Sequence, residues 1–306
     1  MLKFWGKSSF QFLKMDIYFC PFFFFPLNFF SEILTFFLLR LKYTKYTFVI
    51  QSITINDLNK KNIINTTFLS IIILSIKYIM SEKSISITNK DLIDNSFYIT
   101  YVFLMTTATI TFIEAIRTKD LKIRNILNLE TCISVVAAFF YSKFVDKLED
   151  DEEPDYREIN DMRYTDWAIT TPIMLLVLVL AFLYNTKGGA LSISKFSIIL
   201  LLNYGMLGSG YIGELGLLSK PIANAVGFTF FAGLFGYIYK QFLSSKYNFD
   251  NVLLYLAFII LWSFYGVAYY FDEVAKNVSY NVLDLFAKCF VGIFFWAYFT
   301  DTFQLK

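Results

Sequence analysis

Seven long apolar segments follow one another from residue 94 onward and limit what the chain can fold into. Each is 19 to 23 residues long, and a short polar joint separates it from the next. A helix of about 20 residues spans the roughly 30 Å hydrocarbon core of a bilayer. None of the segments shows the period-two alternation that is typical of β-barrel strands. We therefore predict an all-α membrane protein, a bundle of seven transmembrane helices at Phe97–Ile116, Ile126–Val145, Tyr164–Tyr184, Phe196–Leu218, Ile222–Phe242, Val252–Phe271 and Val282–Thr300.

Composition excludes several classes of function. Of the 306 residues, 57% are hydrophobic and 17% are charged, whereas about a quarter are charged in soluble domains. Histidine is absent, which removes Ser-His-Asp and Cys-His catalysis and His-ligated metal sites. The three cysteines lack Cys-x-x-Cys spacing, so no metal site is expected. A net charge of +2 is too small to indicate a nucleic-acid partner.

The charges of the joints orient the helices. The joint after the first segment contains Arg117, Lys119, Lys122 and Arg124 against the single Asp120. The joint after the second segment, residues 146–161, contains nine acidic and two basic residues. Because basic loops stay cytoplasmic, we predict that the N-terminus of the bundle is outside and its C-terminus inside.

The first 79 residues form an apolar N-terminal extension that we separate from a seven-helix domain at 80–306. Ile17–Leu39 and Asn62–Met80 are apolar, and two extra spans joined by basic residues would preserve the orientation. Alternatively, Met80 is the working start of the protein. A cleaved signal peptide fits poorly, because no short apolar core precedes a small-residue cleavage site.

Charged residues inside the predicted spans are costly and therefore indicate function. Lys288 falls near the middle of the seventh span, and Asp284 precedes it by one turn on the same face. Arg163, Asp166 and Thr170 share one stripe of the third span. A structural ion-pair cluster would also explain these charges. A lysine removed from water, however, is a nucleophilic amine that can form an imine with an aldehyde, and the carboxylates could serve as its counter-ions.

Several motifs resemble those of microbial rhodopsins. Residues 163–167, RYTDW, followed by Thr-Thr-Pro at 170–172, are similar to the third-helix signature of that family. Residues 283–288 resemble its retinal-binding motif on the seventh helix. Leu-Trp-Ser at 261–263 and Gly-Ser-Gly at 208–210 are similar to its sixth-helix aromatic wall and to its fourth-helix stretch beside the chromophore ring. The resemblance extends over all seven spans.

The resemblance implies a site for all-trans retinal bound covalently to Lys288. Asp166 and Asp284 would be the paired counter-ions, Arg163 would neutralise them from the outer side, and Thr170 would hydrogen-bond to Asp166. The residues implied to line the chromophore are Trp167, Thr171, Met206, Trp262, Tyr265 and Tyr269. Gly266 stands where many relatives have proline, which we expect to relax the kink of the sixth helix.

Two departures weigh against an efficient outward proton pump. Val177 occupies the position where many pumps of the family keep a proton-donating carboxylate, and Lys276 lies where an outer release carboxylate is expected. A cation path through helices one, two, three and seven would instead be lined by Glu114, Glu130 and Asn281. Alternatively, Glu114 and Glu130 are interfacial charges beside basic residues.

Residues 127–142 on the second helix add a resemblance to the rhodopsins of large DNA viruses, which include light-gated channels. The favoured hypothesis is therefore a light-gated cation channel rather than an enzyme, which passes H⁺, Na⁺ or similar cations through the cell membrane of a host. Alternatives are a weak outward proton pump with Glu130 as substitute donor, and a photosensory receptor. Homo-oligomerisation is left open, and a seven-helix receptor without a chromophore is the least favoured reading.

Overall fold

In the computed structural model, residues 89–150 and 155–300 are described, and they form seven helices without a strand. All seven are long and apolar enough to cross a membrane, which confirms the predicted bundle. The predicted apolar segments before residue 80, and the boundary placed there, lie outside the described residues. The helices are α1 (Asn89–Arg117), α2 (Leu121–Asp150), α3 (Tyr156–Asn185), α4 (Ile193–Glu214), α5 (Lys220–Ile238, continued by a π-helical turn at Tyr239–Leu243), α6 (Phe249–Ala268) and α7 (Glu273–Phe299).

Helices α1, α3 and α7 begin about two turns before the apolar segments that predicted them. Capping side chains set two of these starts and the start of α6. Asp155 accepts hydrogen bonds from two main-chain N–H groups of α3. Asp272 caps α7 and Asn248 caps α6, and each accepts a hydrogen bond from one main-chain N–H group. Polar turns can extend a helix beyond the hydrocarbon core, because outside that core water satisfies their side chains.

The helices close into a ring in chain order, with α7 packed against α1, and α3 also contacts α6 across the interior. Proline at position 172 removes an N–H from the middle of α3, which would leave the carbonyl of Ala168 without its helical donor. The hydroxyl of Tyr204 on α4 lies 3.2 Å from that carbonyl oxygen and donates to it. A neighbouring helix therefore satisfies the interrupted backbone of α3 inside the membrane.

Helix α7 is not uniform: the stretch Leu285–Phe290 is a π-helical turn between two α-helical segments. Lys288 lies within this turn. A π turn rotates the side chains that follow it relative to a regular helix, and such turns occur frequently at functional sites. The irregularity of α7 is therefore located at the charged residue in its middle.

Candidate functional site

Lys288, Asp166 and Asp284 meet in the interior of the bundle. Nζ of Lys288 lies 2.6 Å from Oδ2 of Asp166 on α3 and 3.3 Å from Oδ2 of Asp284 on its own helix. All three residues are at most 2% exposed. Arg163 is buried as well, with Nη1 3.7 Å from Oδ2 of Asp284. Two cations and two carboxylates thus balance one another at a depth where an unpaired charge would be strongly unfavourable.

The two carboxylates have different surroundings. Tyr265 of α6 donates to Oδ1 of Asp284 at 2.6 Å, and the hydroxyl of Tyr141 on α2 lies 2.8 Å from Oδ2. Oδ1 of Asp166, by contrast, has no hydrogen-bond partner within the described residues. The Thr170 hydroxyl does bond to Asp166, but to its main-chain oxygen, at 2.8 Å. Asp284 is therefore held by hydrogen bonds to both oxygens, and Asp166 keeps one free acceptor atom.

Arg163 organises the layer next to this charge cluster. Its Nη2 donates to the side-chain oxygens of Asn281 at 2.8 Å and of Asn277 at 3.2 Å. Its Nη1 lies 3.2 Å from the hydroxyl of Tyr141. Asn281 in turn donates to the hydroxyl of Ser96 on α1 at 2.8 Å. Asn281, which the sequence assigned to an ion path, is thus part of a hydrogen-bonded network that connects α1, α3 and α7.

The sequence did not single out Tyr141, Tyr280 or a role for Asn277 beside Arg163. Tyr141 contacts both Arg163 and Asp284, and the ring of Tyr280 stacks against that of Tyr265 at 5.7 Å. Tyr141 lies in an apolar segment, where an aromatic residue is ordinarily core packing, and Tyr280 lies just before one, so nothing in the spacing identified either tyrosine. The four rings around the Arg163 guanidinium belong to Phe97, Tyr141, Phe144 and Tyr280.

A second charge cluster joins the C-terminal end of α4 to the N-terminal ends of α5 and α7. The side chain of Lys276 is 0% exposed, and its Nζ lies 3.1 Å from both carboxylate oxygens of Glu214 and 2.8 Å from Glu273. Nζ of Lys220 lies 3.8 Å from each of the same carboxylates. Asn160 of α3 donates to Glu273 at 3.1 Å. Lys276, noted in the sequence as a departure from pumps, is therefore the centre of a neutral four-charge cluster.

The two glutamates assigned to an ion path lie in different environments. Glu114 is 3.5 Å from Arg117 near the end of α1, as the interfacial alternative expects. Glu130 is 2% exposed and forms neither a salt bridge nor a hydrogen bond with a described residue. One of its carboxylate oxygens, Oε2, faces Gly292, which lies one turn beyond Lys288 on α7. Val177 is fully buried in the apolar core and supplies no proton-carrying group there.

A cavity extends from Lys288 between α3, α4, α5, α6 and α7. Lys288 and Asp284 form its polar end, and most of the remaining lining is apolar or aromatic. All six residues that the resemblance placed around the chromophore line it: Trp167, Thr171, Met206, Trp262, Tyr265 and Tyr269.

Glycines in the cavity wall allow neighbouring side chains to pack closely against the helix backbone. A Cβ atom on Gly266 would lie 2.6 Å from the ring of Phe228, and one on Gly210 would lie 2.7 Å from the hydroxyl of Tyr164. The side chain of Asn224 donates to the carbonyl of Gly266 at 3.0 Å. The residue that replaces the expected proline therefore permits a close approach of α5 to α6. Gly208, by comparison, has no neighbour within 4 Å of such a Cβ position.

The comparisons with known proteins agree with this geometry. The family profile of bacteriorhodopsin-like proteins matches residues 92–302. The crystal structure of viral rhodopsin OLPVRII is 58% identical, with a TM-score of 0.66, and the match covers 70% of this chain and all of that one. The chain belongs to the microbial rhodopsin family.

More distant rhodopsins share the fold. A blue light-absorbing proteorhodopsin from Med12 is 22% identical with a TM-score of 0.56, over 70% of this chain and 99% of that one. The proton-pumping rhodopsin AR2 from the marine alga Acetabularia acetabulum is 20% identical with a TM-score of 0.57, over 70% and 97%. A search of curated protein sequences gave no significant match.

Microbial rhodopsins bind retinal through a lysine, and the residues present here fit that cofactor. Lys288 is the lysine at the polar end of the cavity, and the buried carboxylates beside it can balance a cationic nitrogen. The largely apolar and aromatic lining suits a polyene. Oδ1 of Asp166 and Nε1 of Trp167 are buried without a hydrogen-bond partner among the described residues, so the site retains polar capacity.

Proposed function

We propose that this integral, multi-pass membrane rhodopsin carries retinal on Lys288 and uses light to move protons outward across the membrane. When bound, retinal supplies light absorption and a protonated nitrogen whose position and proton affinity change after absorption. The observation that carries the proposal is that buried carboxyl groups lie on both sides of Lys288 along the bundle. Asp166 and Asp284 lie on the side of the acidic joint, and Glu130 lies on the side of the basic joints.

The asymmetry of the two carboxylates supports Asp166 as the first proton acceptor. Its Oδ2 is 2.6 Å from Nζ of Lys288, and its Oδ1 has no partner among the described residues. Asp284 is 3.3 Å away, and two tyrosine hydroxyls and Arg163 stabilise its charged form. Protonation of Asp166 by Nζ would therefore disrupt fewer hydrogen bonds than protonation of Asp284.

Glu130 supports a return of the proton from the opposite side. Its contact with Gly292 places it one helical turn, about 6 Å along the axis, from Lys288. A carboxyl group that is buried without an ionic partner is neutral at the lowest cost, and a neutral carboxyl can donate a proton. Glu130 on α2 would thereby supply the proton donor that Val177 on α3 cannot.

Two buried basic residues in the outer half of the bundle favour proton transfer over the passage of larger cations. Arg163 and Lys276 are both fully buried there and are held by hydrogen bonds from several helices. A cation that crossed this region would pass two fixed positive charges. A proton can be handed between hydroxyl, carboxyl and water groups without such a passage.

A light-gated cation channel is the second candidate, and one observation favours it. Polar side chains line the contact of α1 with α7, where Asn281 bonds to Ser96 and the Thr100 hydroxyl donates to the Asn281 carbonyl at 3.2 Å. Glu130 of α2 lies beside Thr107 of α1 and Gly292 of α7, at the same contact between helices. Separation of α1 from α7 would open this polar line.

For either function we infer the host cell membrane as the location, because the 58% identical relative is a viral rhodopsin.

Illuminated voltage-clamp recording distinguishes the two candidates. We expect an outward photocurrent that persists at zero voltage and against an opposing proton gradient, together with external acidification that a protonophore abolishes. A photocurrent that reverses with the cation gradient would refute the pump and support the channel. Lys288→Ala should remove both the visible absorption band and the current, whereas Lys246→Ala, at an exposed lysine, should remove neither.

A further inference from the structure

Phe228 on α5 lines the cavity and also faces the outside of the bundle. Among the described residues that line the cavity it is the exposed one, at 37%. Ala225 and Ala232, one turn before and one turn after it, are exposed as well, so Phe228 borders the outward face of α5. It lies about 12 Å along the axis from the start of α5 at Lys220. At this depth the Phe228 ring separates the cavity from the hydrocarbon of the bilayer.

Two hydrogen bonds hold α5 against α6, one on each side of Phe228. Toward the start of α5, the Asn224 side chain donates to the Gly266 carbonyl at 3.0 Å. Toward its end, the Tyr255 hydroxyl of α6 donates to the Phe235 carbonyl at 3.0 Å. The two bonds are about 16 Å apart along α5. Between them, the described parts of the two helices are joined by side-chain packing and by no further hydrogen bond.

The Phe228 ring packs on a glycine within this interval. A Cβ atom on Gly266 would lie 2.6 Å from both Cε2 and Cζ of the ring, so the ring contacts the backbone of α6 directly. Displacement of the ring breaks apolar contacts but no hydrogen bond. Side chains that face the surface change rotamer within nanoseconds. Phe228 can therefore move outward into lipid without a rearrangement of either helix.

The two ends of the bundle are closed to an apolar molecule in different ways. Glu214 and Lys276 lie one turn beyond lining residues of α4 and α7, and they form an ion pair there. Leu178 and Phe235 lie one turn beyond lining residues of α3 and α5, and both are at most 2% exposed. An apolar ligand would have to cross a charged layer from one end or a close-packed layer from the other. The side of the bundle at Phe228 presents neither obstacle.

We propose that the contact of α5 with α6 at Phe228 is a lateral entry site, through which retinal reaches Lys288 from the bilayer. Retinal is a long apolar aldehyde, which concentrates in hydrocarbon rather than in water. The Phe228 ring moves outward, the polyene passes over Gly266 with its aldehyde leading, and the ring returns to close the cavity. The entry site rests on the proposed function, because it requires that Lys288 holds retinal.

Uptake kinetics of the protein prepared without retinal test the entry site. The protein is embedded in phosphatidylcholine vesicles, all-trans retinal is added to the bilayer, and growth of the visible band is timed. Phe228→Ala should take up retinal about tenfold faster, since no ring has to move, and Phe228→Trp about tenfold slower, since a larger ring fills the gap. The matched controls are Phe294→Ala and Phe294→Trp, because Phe294 is 46% exposed on α7 and does not line the cavity. An equal final band shows that each variant folds.

Retinol separates entry from attachment. It lacks the aldehyde and cannot bond to Lys288, but as an achiral molecule it acquires circular dichroism when a chiral cavity holds it. The rate at which this signal appears should change in the Phe228 variants by the same factors.

Each remaining outcome decides one of the two proposals. If the Phe228 variants take up both retinoids at the rates of the Phe294 controls, the entry site is refuted, and a normal visible band leaves the proposed function intact. If retinol entry responds to Phe228 but retinal gives no visible band, attachment to Lys288 fails and the entry site stands. A rate that follows retinal on a water-soluble carrier, at a fixed retinal content of the bilayer, also overturns lateral entry.

Discussion

The outer charge cluster gives a prediction with a magnitude that follows from its geometry. Replacing Lys276 by methionine removes the cation between Glu214 and Glu273, which are 3.1 Å and 2.8 Å from its Nζ. Removal of one partner of a buried ion pair costs about 3–5 kcal/mol. The Glu273 side chain is 37% exposed, and Lys220 remains 3.8 Å from both carboxylates. Partial hydration and this second cation favour the lower limit, about 3 kcal/mol.

A loss of about 3 kcal/mol corresponds to a thermal midpoint about 6–12 °C lower for a domain of this size, at about 2–4 °C per kcal/mol. We would measure the midpoint as the loss of visible absorption on heating, at one scan rate, since unfolding from a membrane is rarely reversible. Lys246→Met is the matched control, because Lys246 is exposed and makes no ion pair with a described residue. It should leave the midpoint unchanged.

A compensating variant tests the electrostatic reasoning itself. If Glu214→Gln and Glu273→Gln are added to Lys276→Met, the cluster keeps only the charge of Lys220, whose side chain is 41% exposed to water, and most of the lost stability should return. If the thermal midpoint of Lys276→Met lies within ~2 °C of the midpoint of Lys246→Met, the assigned magnitude is refuted, because about 3 kcal/mol corresponds to a shift of at least ~6 °C. A triple variant as unstable as the single one would show that methionine fails for steric rather than electrostatic reasons.

Three further predictions concern the retinal site and its proton path. Gly292→Ala should slow return of the Nζ proton about tenfold, because its Cβ displaces Glu130, whereas Gly236→Ala, with open space around it, should not; equal rates in flash spectroscopy would contradict this. Gly266→Ala should slow retinal uptake, measured as growth of the visible band, because the new Cβ would clash with the ring of Phe228. Adding Phe228→Leu should restore the uptake rate, and a failure to restore it would contradict this contact. Asp166→Asn should reduce light-driven acidification at least ~10²-fold, since an amide cannot take up the proton as the carboxylate does; an undiminished signal would assign acceptance elsewhere.

The seven helices could be predicted from the sequence because the membrane imposes a simple rule. Backbone groups in hydrocarbon must be satisfied within each segment, so about 20 apolar residues identify a span without knowledge of its neighbours. The pairing of Asp284 with Lys288 followed from the helical repeat in the same way. Asp166 was placed beside them by the resemblance of its motif, and the structure brings its Oδ2 to 2.6 Å from Lys288.

Contacts between helices carry no such local signal, and the tertiary structure alone decided them. Tyr141 and Tyr265 reach Asp284 from two other helices, so one carboxylate is fully hydrogen-bonded while Asp166 is not. The sequence offers Lys276 a partner three residues earlier, Glu273, and the packing of the bundle adds Glu214 of α4.

Glu130 shows most clearly the difference between what the sequence indicates and what the tertiary structure decides. Its place in the chain, near the start of an apolar segment, was equally compatible with the membrane surface and with the interior. The absence of a side chain on Gly292 allows α1, α2 and α7 to enclose it. The sequence by itself determined the helices and the lysine that can hold retinal. Their packing decided which carboxyl groups are buried, paired or free, because the proton affinity of each group depends on neighbours that are distant in the chain.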